Sequence, residues 1–368
     1  MKYPADRYPL WNDWRWQMQN RVRDAASLAR WIPLSDAERE EIENCTVRFR
    51  MAVTPYFLSL IDPADPDDPI RRQCIVSSKE LIRSEVEKSD HLDEGGRSVT
   101  PHIVHRYPDR VLLLATMQCG MYCRHCTRRR IVGESDMTPT VEELDRELDY
   151  IRAHPAIRDV LISGGDPLTL PTPRLEEIIR LLRAIPHVDI IRIGTRVPCV
   201  LPMRVDGELV SMLKKYHPLW INVQYNHPRE LTPESEEALR KLADAGIPLG
   251  NQSVLLKGIN DDPETMKELL LRLVHDRVRP YYLYQCDLAE GTGHFRTPVS
   301  KGIEILHALQ GNISGFAVPK YVIDAPGGGG KVPFVYDYAR GTEDGRIIFE
   351  NYEGKLFSYP ENGGSTDV

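Results

Sequence analysis

The chain has 368 residues, of which 41% are hydrophobic and 27% are charged, so it can form one large globular domain with an extension, or two domains. Its formal net charge of -7 argues against a nucleic-acid-binding protein, and no apolar run approaches the roughly 20 residues of a membrane span. The amino-terminal stretch up to Asp24 lacks the apolar core of a secretory signal, and the cysteines suit a reducing compartment. We therefore expect a cytoplasmic protein.

Residues 1–100 are predicted to form a mainly helical amino-terminal region. Trp11, Trp14 and Trp16 are spaced so that they can share one face of a helix, and we expect that helix to pack on the rest of the protein. Loops rich in Pro, Asp and Gly, at residues 62–68 and 94–97, interrupt this region.

Residues 101–315 are predicted to alternate strands with amphipathic helices. One predicted helix carries Val141, Leu144, Leu148 and Ile151 on the same face. The six predicted strands are Val111–Thr116, Asp159–Ser163, Asp189–Gly194, Leu219–Tyr225, Pro248–Ser253 and Pro280–Gln285. Such alternation indicates an α/β fold with parallel strands, either a barrel or a doubly wound sheet.

We favour a partial six-stranded (β/α) barrel, with ligands bound at the carboxyl ends of its strands. The chemically informative residues do follow the predicted strands in the sequence. Residues 316–368 are predicted to form a small carboxyl-terminal appendage, with a glycine-rich loop and two short strands at Arg346–Asn351 and Lys355–Tyr359.

Three of the seven cysteines lie close together after the first predicted strand. Cys119, Cys123 and Cys126 have the spacing C-x3-C-x2-C, and three thiolates this close can hold three corners of an iron-sulfur cubane. The fourth iron would then be open to a small chelating molecule. The alternative is a structural zinc site, which would need a fourth ligand such as His125 or Cys286. This spacing closely resembles the signature of the radical S-adenosylmethionine superfamily.

A short glycine-containing loop follows the second predicted strand. It consists of Ser163, Gly164, Gly165 and Asp166, and its two glycines can let the backbone approach a ligand closely. Taken alone, this loop is as consistent with an ordinary turn as with a binding site.

Four consecutive glycines, residues 327–330, end at Lys331. A flexible linker is one reading of this run. An apolar strand-like segment and Pro326 precede it, which favours a loop that delivers the Lys331 amine to a cofactor aldehyde, as in lysine Schiff bases of pyridoxal phosphate. The run is no phosphate-binding Walker loop, because Val332 stands where Ser or Thr is required.

Several segments in order resemble the lysine 2,3-aminomutase family across nearly the whole chain. They are Trp11–Trp16, His105–Arg110, Cys123–Arg130, Gly250–Ser253, Asp287–Pro298 and Asp324–Lys331. The resemblance implies a 4Fe-4S cluster on Cys119, Cys123 and Cys126, and pyridoxal 5'-phosphate on Lys331. It further implies Arg106, Tyr107, Arg110 and Tyr284 at the pyridoxal phosphate. It places His125, Ser163, Gly164, Gly165, Asp166 and Gln252 at S-adenosyl-L-methionine.

The resemblance also assigns residues to the substrate. Arg128 would bind the carboxylate of a free amino acid, and a guanidinium suits that task because it can pair bidentately. Asp287 and Asp324 would bind a distal ammonium group. Two acids select a basic substrate, so L-lysine is expected before arginine or ornithine, and glutamate or protein-bound lysine are further alternatives. A non-catalytic zinc-binding protein would need neither these acids nor Lys331.

The expected reaction is isomerisation of L-lysine to β-lysine through a 5'-deoxyadenosyl radical. The family resemblance further implies an electron donor such as flavodoxin or ferredoxin, and a homo-oligomer. Two departures from the family are apparent. Gln224 stands where a histidine is expected near S-adenosylmethionine, and the carboxyl terminus after Glu361 lacks the cysteines that bind structural zinc in some relatives. We expect Cys45, Cys74, Cys199 and Cys286 to be buried thiols without a catalytic role.

Overall fold

The computed structural model describes residues 8–133 and 138–361. The expected absence of carboxyl-terminal zinc ligands concerns residues 362–368, which lie outside the described residues. The strands are β1 (Ser98–Thr100), β2 (Ile103–Tyr107), β3 (Arg110–Thr116), β4 (Asp159–Gly164), β5 (Ile190–Thr195), β6 (Leu219–Val223), β7 (Leu249–Leu255), β8 (Val278–Gln285), β9 (Lys320–Ala325), β10 (Gly330–Phe334), β11 (Ala339–Glu343), β12 (Arg346–Glu350) and β13 (Leu356–Pro360).

Strands β1 to β10 form one sheet in sequential order, with β1 and β10 at its two edges. The seven strands from β3 to β9 are parallel, whereas β1, β2 and β10 pair antiparallel with their neighbours. All six predicted strands are present. The sheet is larger than predicted, because β9 adds a seventh parallel strand and three antiparallel strands extend the edges.

Each parallel pair is joined by at least one α-helix, as parallel strands require a crossover connection. The helices are α1 (Trp14–Gln19), α2 (Ala25–Leu28), α3 (Asp36–Thr46), α4 (Pro55–Leu58), α5 (Pro69–Cys74), α6 (Val141–Ala153), α7 (Thr172–Arg183), α8 (Val197–Val200), α9 (Gly207–Leu213), α10 (Pro233–Asp244), α11 (Pro263–His275) and α12 (Val299–Leu309). Among the residues described, the helices are too short or too polar to cross a membrane.

Helix α6 shows how the sequence specifies these crossovers. Thr140 caps its first turn in a capping box with Glu143, and Leu144, Leu148 and Ile151 are buried at the spacing of one helix face. Val141, predicted on the same face, is exposed because it lies in the first turn.

The amino-terminal region contains helices α1 to α5, mostly short and separated by loops. Trp11 and Trp14 are buried, and Trp11 and Trp16 belong to a group of aromatic rings with Tyr8 and Trp31. The tryptophans pack in or against the core as expected, but Trp11 precedes α1, so the three do not share one helix face.

The glycine run is a turn rather than a linker. It joins β9 to β10, and Gly327, Gly328 and Gly330 all adopt positive φ angles that side chains rarely tolerate. In the resulting hairpin, Lys331 lies directly opposite Asp324. Beyond it, β11, β12 and β13 form a separate antiparallel sheet, one strand more than predicted.

Candidate active site

The three clustered cysteines follow β3 and line one cavity. Cys119, Cys123 and Cys126 share its wall with Met121 and apolar atoms of neighbouring side chains. Burial, reinforced by the neighbouring thiols, raises the pKa of Cys119 well above its usual value and that of Cys126 to about 11. Without a cation these two thiols therefore remain protonated, and a bound iron ion would displace their protons.

An ion-pair cluster holds this cysteine loop in place. Glu80 is buried between two arginines of the loop, Arg124 at 2.5 Å and Arg129, and Arg124 also donates to the backbone of Arg50. Burial raises the pKa of Glu80, but the two guanidinium groups outweigh it and hold the pKa below its usual range. The single carboxylate is therefore shared by two cations beside the cysteines.

We expect Glu80→Gln to destabilise the protein strongly. It leaves two buried guanidinium groups without their counter-charge, which costs about 3–5 kcal/mol of unfolding free energy. Urea denaturation of the metal-free protein measures this loss. The matched control is Glu264→Gln, which removes an exposed carboxylate paired with Lys267 and should change stability by less than about 0.5 kcal/mol. Equal stability of both variants would contradict a structural role for Glu80.

Another buried arginine, Arg196, contacts a cysteine directly. Arg196 donates from Nη1 to the Cys123 sulfur at 2.9 Å, and from Nη2 to Glu230 at 2.7 Å and Gln73 at 2.6 Å. Hydrogen bonds to the ligand sulfurs are one of the means by which proteins tune iron-sulfur clusters. No role was assigned to Arg196, Glu230 or Gln73 from the sequence, because they come from three separate segments that only folding brings together.

His125 lies in the same polar network. Its Nε2 is 3.3 Å from the amide nitrogens of both Gln224 and Asn226, and its Nδ1 has no hydrogen-bond partner among the described residues. Burial and the charges of Arg196 and other nearby arginines hold the pKa of His125 well below its usual value, so the ring is neutral. Gln224, noted as a departure from the family, therefore contacts a residue expected at S-adenosylmethionine. Gln252 lies half-buried on β7.

The glycines at the end of β4 have a packing role that the sequence did not reveal. A Cβ on Gly164 would lie 2.2 Å from the Thr116 carbonyl oxygen, and one on Gly165 would lie 2.2 Å from that of Gln118. They permit close contact with the chain leading to the cysteines. Asp166 is buried and accepts hydrogen bonds from the Thr195 hydroxyl and other neighbours. Ser163 precedes them within β4.

Lys331 belongs to a polar cluster around the buried Asp324. Its ammonium lies 2.9 Å from both carboxylate oxygens of Asp324 and 5.1 Å from the centre of the Tyr284 ring. Its backbone N–H donates to the Tyr107 hydroxyl at 3.0 Å. Burial, with the charge of Asp324, raises the pKa of Tyr284 well above its usual value, so this phenol remains neutral.

Two further arginines predicted at pyridoxal phosphate lie beside this cluster. Arg106 has its Nη1 3.8 Å from Asp324, and its buried Nε has no hydrogen-bond partner within the described chain. The Arg110 guanidinium stacks over the Tyr107 ring at 3.9 Å. An unsatisfied guanidinium N–H beside a lysine amine suits an anionic cofactor bound to that amine.

Arg128 is paired with an acid that was not predicted. Its Nη2 and Nε lie 2.7 and 2.9 Å from Glu94, in the loop that the sequence indicated only as an interruption. Burial lowers the pKa of Arg128, but Glu94, Cys126 and Asp324 outweigh it and raise the pKa. Arg128 thus interacts electrostatically with both a cysteine of the cluster and the acid that contacts Lys331.

Asp287 completes this group of charges. Burial raises its pKa, Asp324 raises it further, and His91 and Lys331 oppose that increase. Asp287, Asp324 and Lys331 therefore interact in one buried site, although 44 positions separate the first from the last in the sequence. The structure brings together the cysteine loop, Arg128, the two acids and Lys331.

The groups that could bind a metal or a cofactor can be compared with what each cofactor requires. In the part of the chain that the structure describes, no three His, Cys, Asp or Glu side chains converge on the position of a single metal ion. Three thiols around one cavity suit a cluster better, since each then binds a separate iron. His125 Nδ1 and Arg106 Nε are buried groups without partners that bound ligands would satisfy. Cys45, Cys74, Cys199 and Cys286 are buried free thiols, as expected.

Comparison with known proteins gives two family matches. The model of the Radical SAM superfamily matches residues 113–270, and that of Lysine-2,3-aminomutase matches residues 306–367. The chain is 55% identical to L-lysine 2,3-aminomutase of Clostridium subterminale, over 95% of this chain and 84% of the relative. It is 45% identical to glutamate 2,3-aminomutase of Clostridioides difficile, over 94% and 82%. A radical SAM methyltransferase from Sphaerobacter thermophilus has 16% identity over 87% and 90% of the chains, with a TM-score of 0.45, too low to establish a shared fold.

Proposed function

The chain belongs to the lysine 2,3-aminomutase family of the radical SAM superfamily, and on that premise we propose that it is an isomerase that converts L-lysine to β-lysine. The observation that carries the proposal is the contact of the Lys331 ammonium with the buried Asp324, next to Asp287 and Arg128. This cluster already accommodates one ammonium group, which is the group that distinguishes lysine from acidic and apolar amino acids.

Membership in the family implies S-adenosylmethionine and an iron-sulfur cluster, and we add pyridoxal phosphate as a proposal. When bound, these groups supply a carbon-centred radical that abstracts hydrogen from the substrate, and a π system that delocalises the unpaired electron. Cys119, Cys123 and Cys126 would hold the cluster. His125, Gln252 and the residues Ser163, Gly164, Gly165 and Asp166 would lie at S-adenosylmethionine.

The pyridoxal side of the site would be formed by the residues around the hairpin. Lys331 would bind the cofactor covalently, and Tyr284 would pack against it as a neutral phenol. Arg106 would donate its unpartnered Nε–H to the phosphate, with Arg110 and Tyr107 close by. The Arg106 side chain is only 12% exposed, and this partial burial strengthens its electrostatic interactions.

The remaining charged residues would orient the amino acid. Arg128 would bind its carboxylate, and Glu94 would hold the guanidinium in position for that contact. Asp287 and Asp324 would bind the distal ammonium. Once Lys331 is engaged by the cofactor, Asp324 lacks its cation, and the substrate ammonium can replace it. The three contacts of Arg128, Asp287 and Asp324 with the substrate would fix C2 and C3 of lysine relative to the cofactors.

The substrate is tested by assaying the reconstituted enzyme with reductant, both cofactors and a panel of amino acids, and by detecting β-amino products. We expect turnover of L-lysine, with arginine and ornithine weaker and peptide-bound lysine inactive. Glutamate should fail, although one relative is named for it, because two acids at the distal position would repel its side chain. Turnover of glutamate and not lysine would overturn this assignment.

Asp287→Asn should weaken the use of lysine selectively. Loss of one charge from the distal-ammonium site should raise KM for L-lysine about 10- to 100-fold, the usual effect of removing a hydrogen bond to a charged group. Steady-state kinetics measure KM and kcat separately. Asp149→Asn, which alters an exposed aspartate on α6, is the matched control and should leave KM unchanged. An unchanged KM in Asp287→Asn would exclude this residue from the substrate site.

We propose four further properties that agree with this function. The parallel strands would curve as a partial barrel, with the helical region at 1–100, the barrel at 101–315 and the lysine-bearing region at 316–368 as its three parts. Flavodoxin or ferredoxin would donate the electron. The protein would be a homo-oligomer, which light scattering can test. It would act in the cytoplasm, because thiols that hold an iron-sulfur cluster require a reducing compartment.

A further inference from the structure

The segment from Lys88 to Glu94 lies across the candidate active site. The Lys88 N–H donates to the Leu288 carbonyl at 3.0 Å, directly after Asp287. The Gly327 N–H in the glycine turn donates to the His91 carbonyl at 2.9 Å, and Arg106 donates to the Leu92 carbonyl at 2.5 Å. Three elements that carry candidate site residues therefore fix the backbone of this segment.

These hydrogen bonds direct the His91 side chain into the site. The residue is 3% exposed, and its Nε2 lies 3.4 Å from Oδ1 of Asp287. The pair falls outside hydrogen-bond geometry, and neither ring nitrogen of His91 has another partner among the described residues. Buried polar atoms are almost always hydrogen-bonded, and hydrogen bonds in ligand-free sites often tighten only when the ligand binds.

We propose that His91 is a specificity-determining residue of the distal-ammonium site. When an ammonium group binds, the imidazole donates its Nε2–H to Oδ1 of Asp287. This holds the carboxylate in place, so that Oδ2 is directed to the substrate. The proton is assigned to Nε2 because that nitrogen faces an acceptor. The inference rests on the function proposed above and adds to it a residue from outside the segments that resemble the family.

The role of His91 differs from a purely structural one in its dependence on the substrate charge. A histidine that only supports the fold would affect all amino acids equally. A histidine that orients Asp287 affects only those amino acids that place a cation there. L-lysine and L-norleucine have side chains of equal carbon length and differ in the terminal ammonium, so they separate the two cases.

The experiment measures the dissociation constants of both amino acids for the enzyme loaded with pyridoxal phosphate, from changes in cofactor absorbance. S-adenosylmethionine and reductant are omitted, so no turnover is needed. In His91→Leu we expect the Kd of L-lysine to rise about five- to tenfold, within the range for loss of one ordinary intramolecular hydrogen bond, because His91 acts on the ammonium only through Asp287; the Kd of L-norleucine should stay unchanged. His91→Gln, which retains an N–H donor, should recover part of the lysine affinity.

The matched control is His275→Leu, which removes an exposed histidine from its contact with Asp276 and should alter neither constant. An unchanged lysine Kd in His91→Leu, or an equal loss for both amino acids, would overturn the proposal for His91 alone. Wild-type enzyme that binds L-lysine no better than L-norleucine would overturn the proposed function as well.

Discussion

The Lys331→Ala variant is expected to form β-lysine at least about a thousandfold more slowly than the wild type, because it lacks the amine that would carry the cofactor. It should also lose the absorbance band of lysine-bound pyridoxal phosphate. The change removes the cation at 2.9 Å from Asp324, so two acids remain in a buried site without that counter-charge. Both absorbance and turnover should therefore fall together.

A matched control separates this effect from a general loss of lysine residues. Lys355→Ala removes an exposed lysine that pairs with Glu353 in the carboxyl-terminal region, and it should retain full absorbance and activity. Persistence of the absorbance band in Lys331→Ala would show that another lysine binds the cofactor. Normal turnover in this variant would remove Lys331 from the mechanism.

Replacement of Cys126 by Ala should have the second large effect. It leaves two of the three thiols that line the cavity, so iron and sulfide content should fall sharply, and cleavage of S-adenosylmethionine should decrease about a thousandfold or more. Anaerobic reconstitution followed by iron, sulfide and zinc analysis measures the first quantity. Chromatographic detection of 5'-deoxyadenosine measures the second.

Cys286→Ala is the control for this experiment, because Cys286 is a buried thiol in a separate small apolar cluster. It should keep its iron and sulfide. It also tests the zinc alternative, in which Cys286 could be the fourth ligand. Stoichiometric zinc with no iron or sulfide in the anaerobically purified wild type would contradict the iron-sulfur assignment.

The sequence specified the parallel strands well because they consist of short apolar runs, in most of which buried residues alternate with partly exposed ones. The additional strands were harder to predict. The run before the glycines was recognised as strand-like, but its pairing with β8 depends on residues nearly 40 positions away. Strands β1 and β2 are short and partly exposed, so they lack the buried apolar pattern from which the other strands were predicted.

In the candidate site, too, contacts between residues far apart in the sequence could not be predicted. Closely spaced residues such as the three cysteines form a recognisable pattern, whereas Glu94, Arg196 and Glu230 are single charged residues within ordinary loops. Arg196 meets Glu230 across 34 positions and Cys123 across 73. Gly164 and Gly165 were singled out for close approach of the backbone to a ligand, and the structure shows them in close contact with neighbouring backbone.

In the hairpin between β9 and β10, the length of the glycine turn sets the register in which the two strands pair. Successive side chains of a strand point to opposite faces, so a slip of one residue would turn Lys331 away from Asp324 and bring Val332 opposite that acid instead. The number of residues in the turn thus determines which side chain meets the carboxylate. A turn that is one residue longer or shorter would remove the contact between the Lys331 amine and Asp324 without altering any side chain of the site.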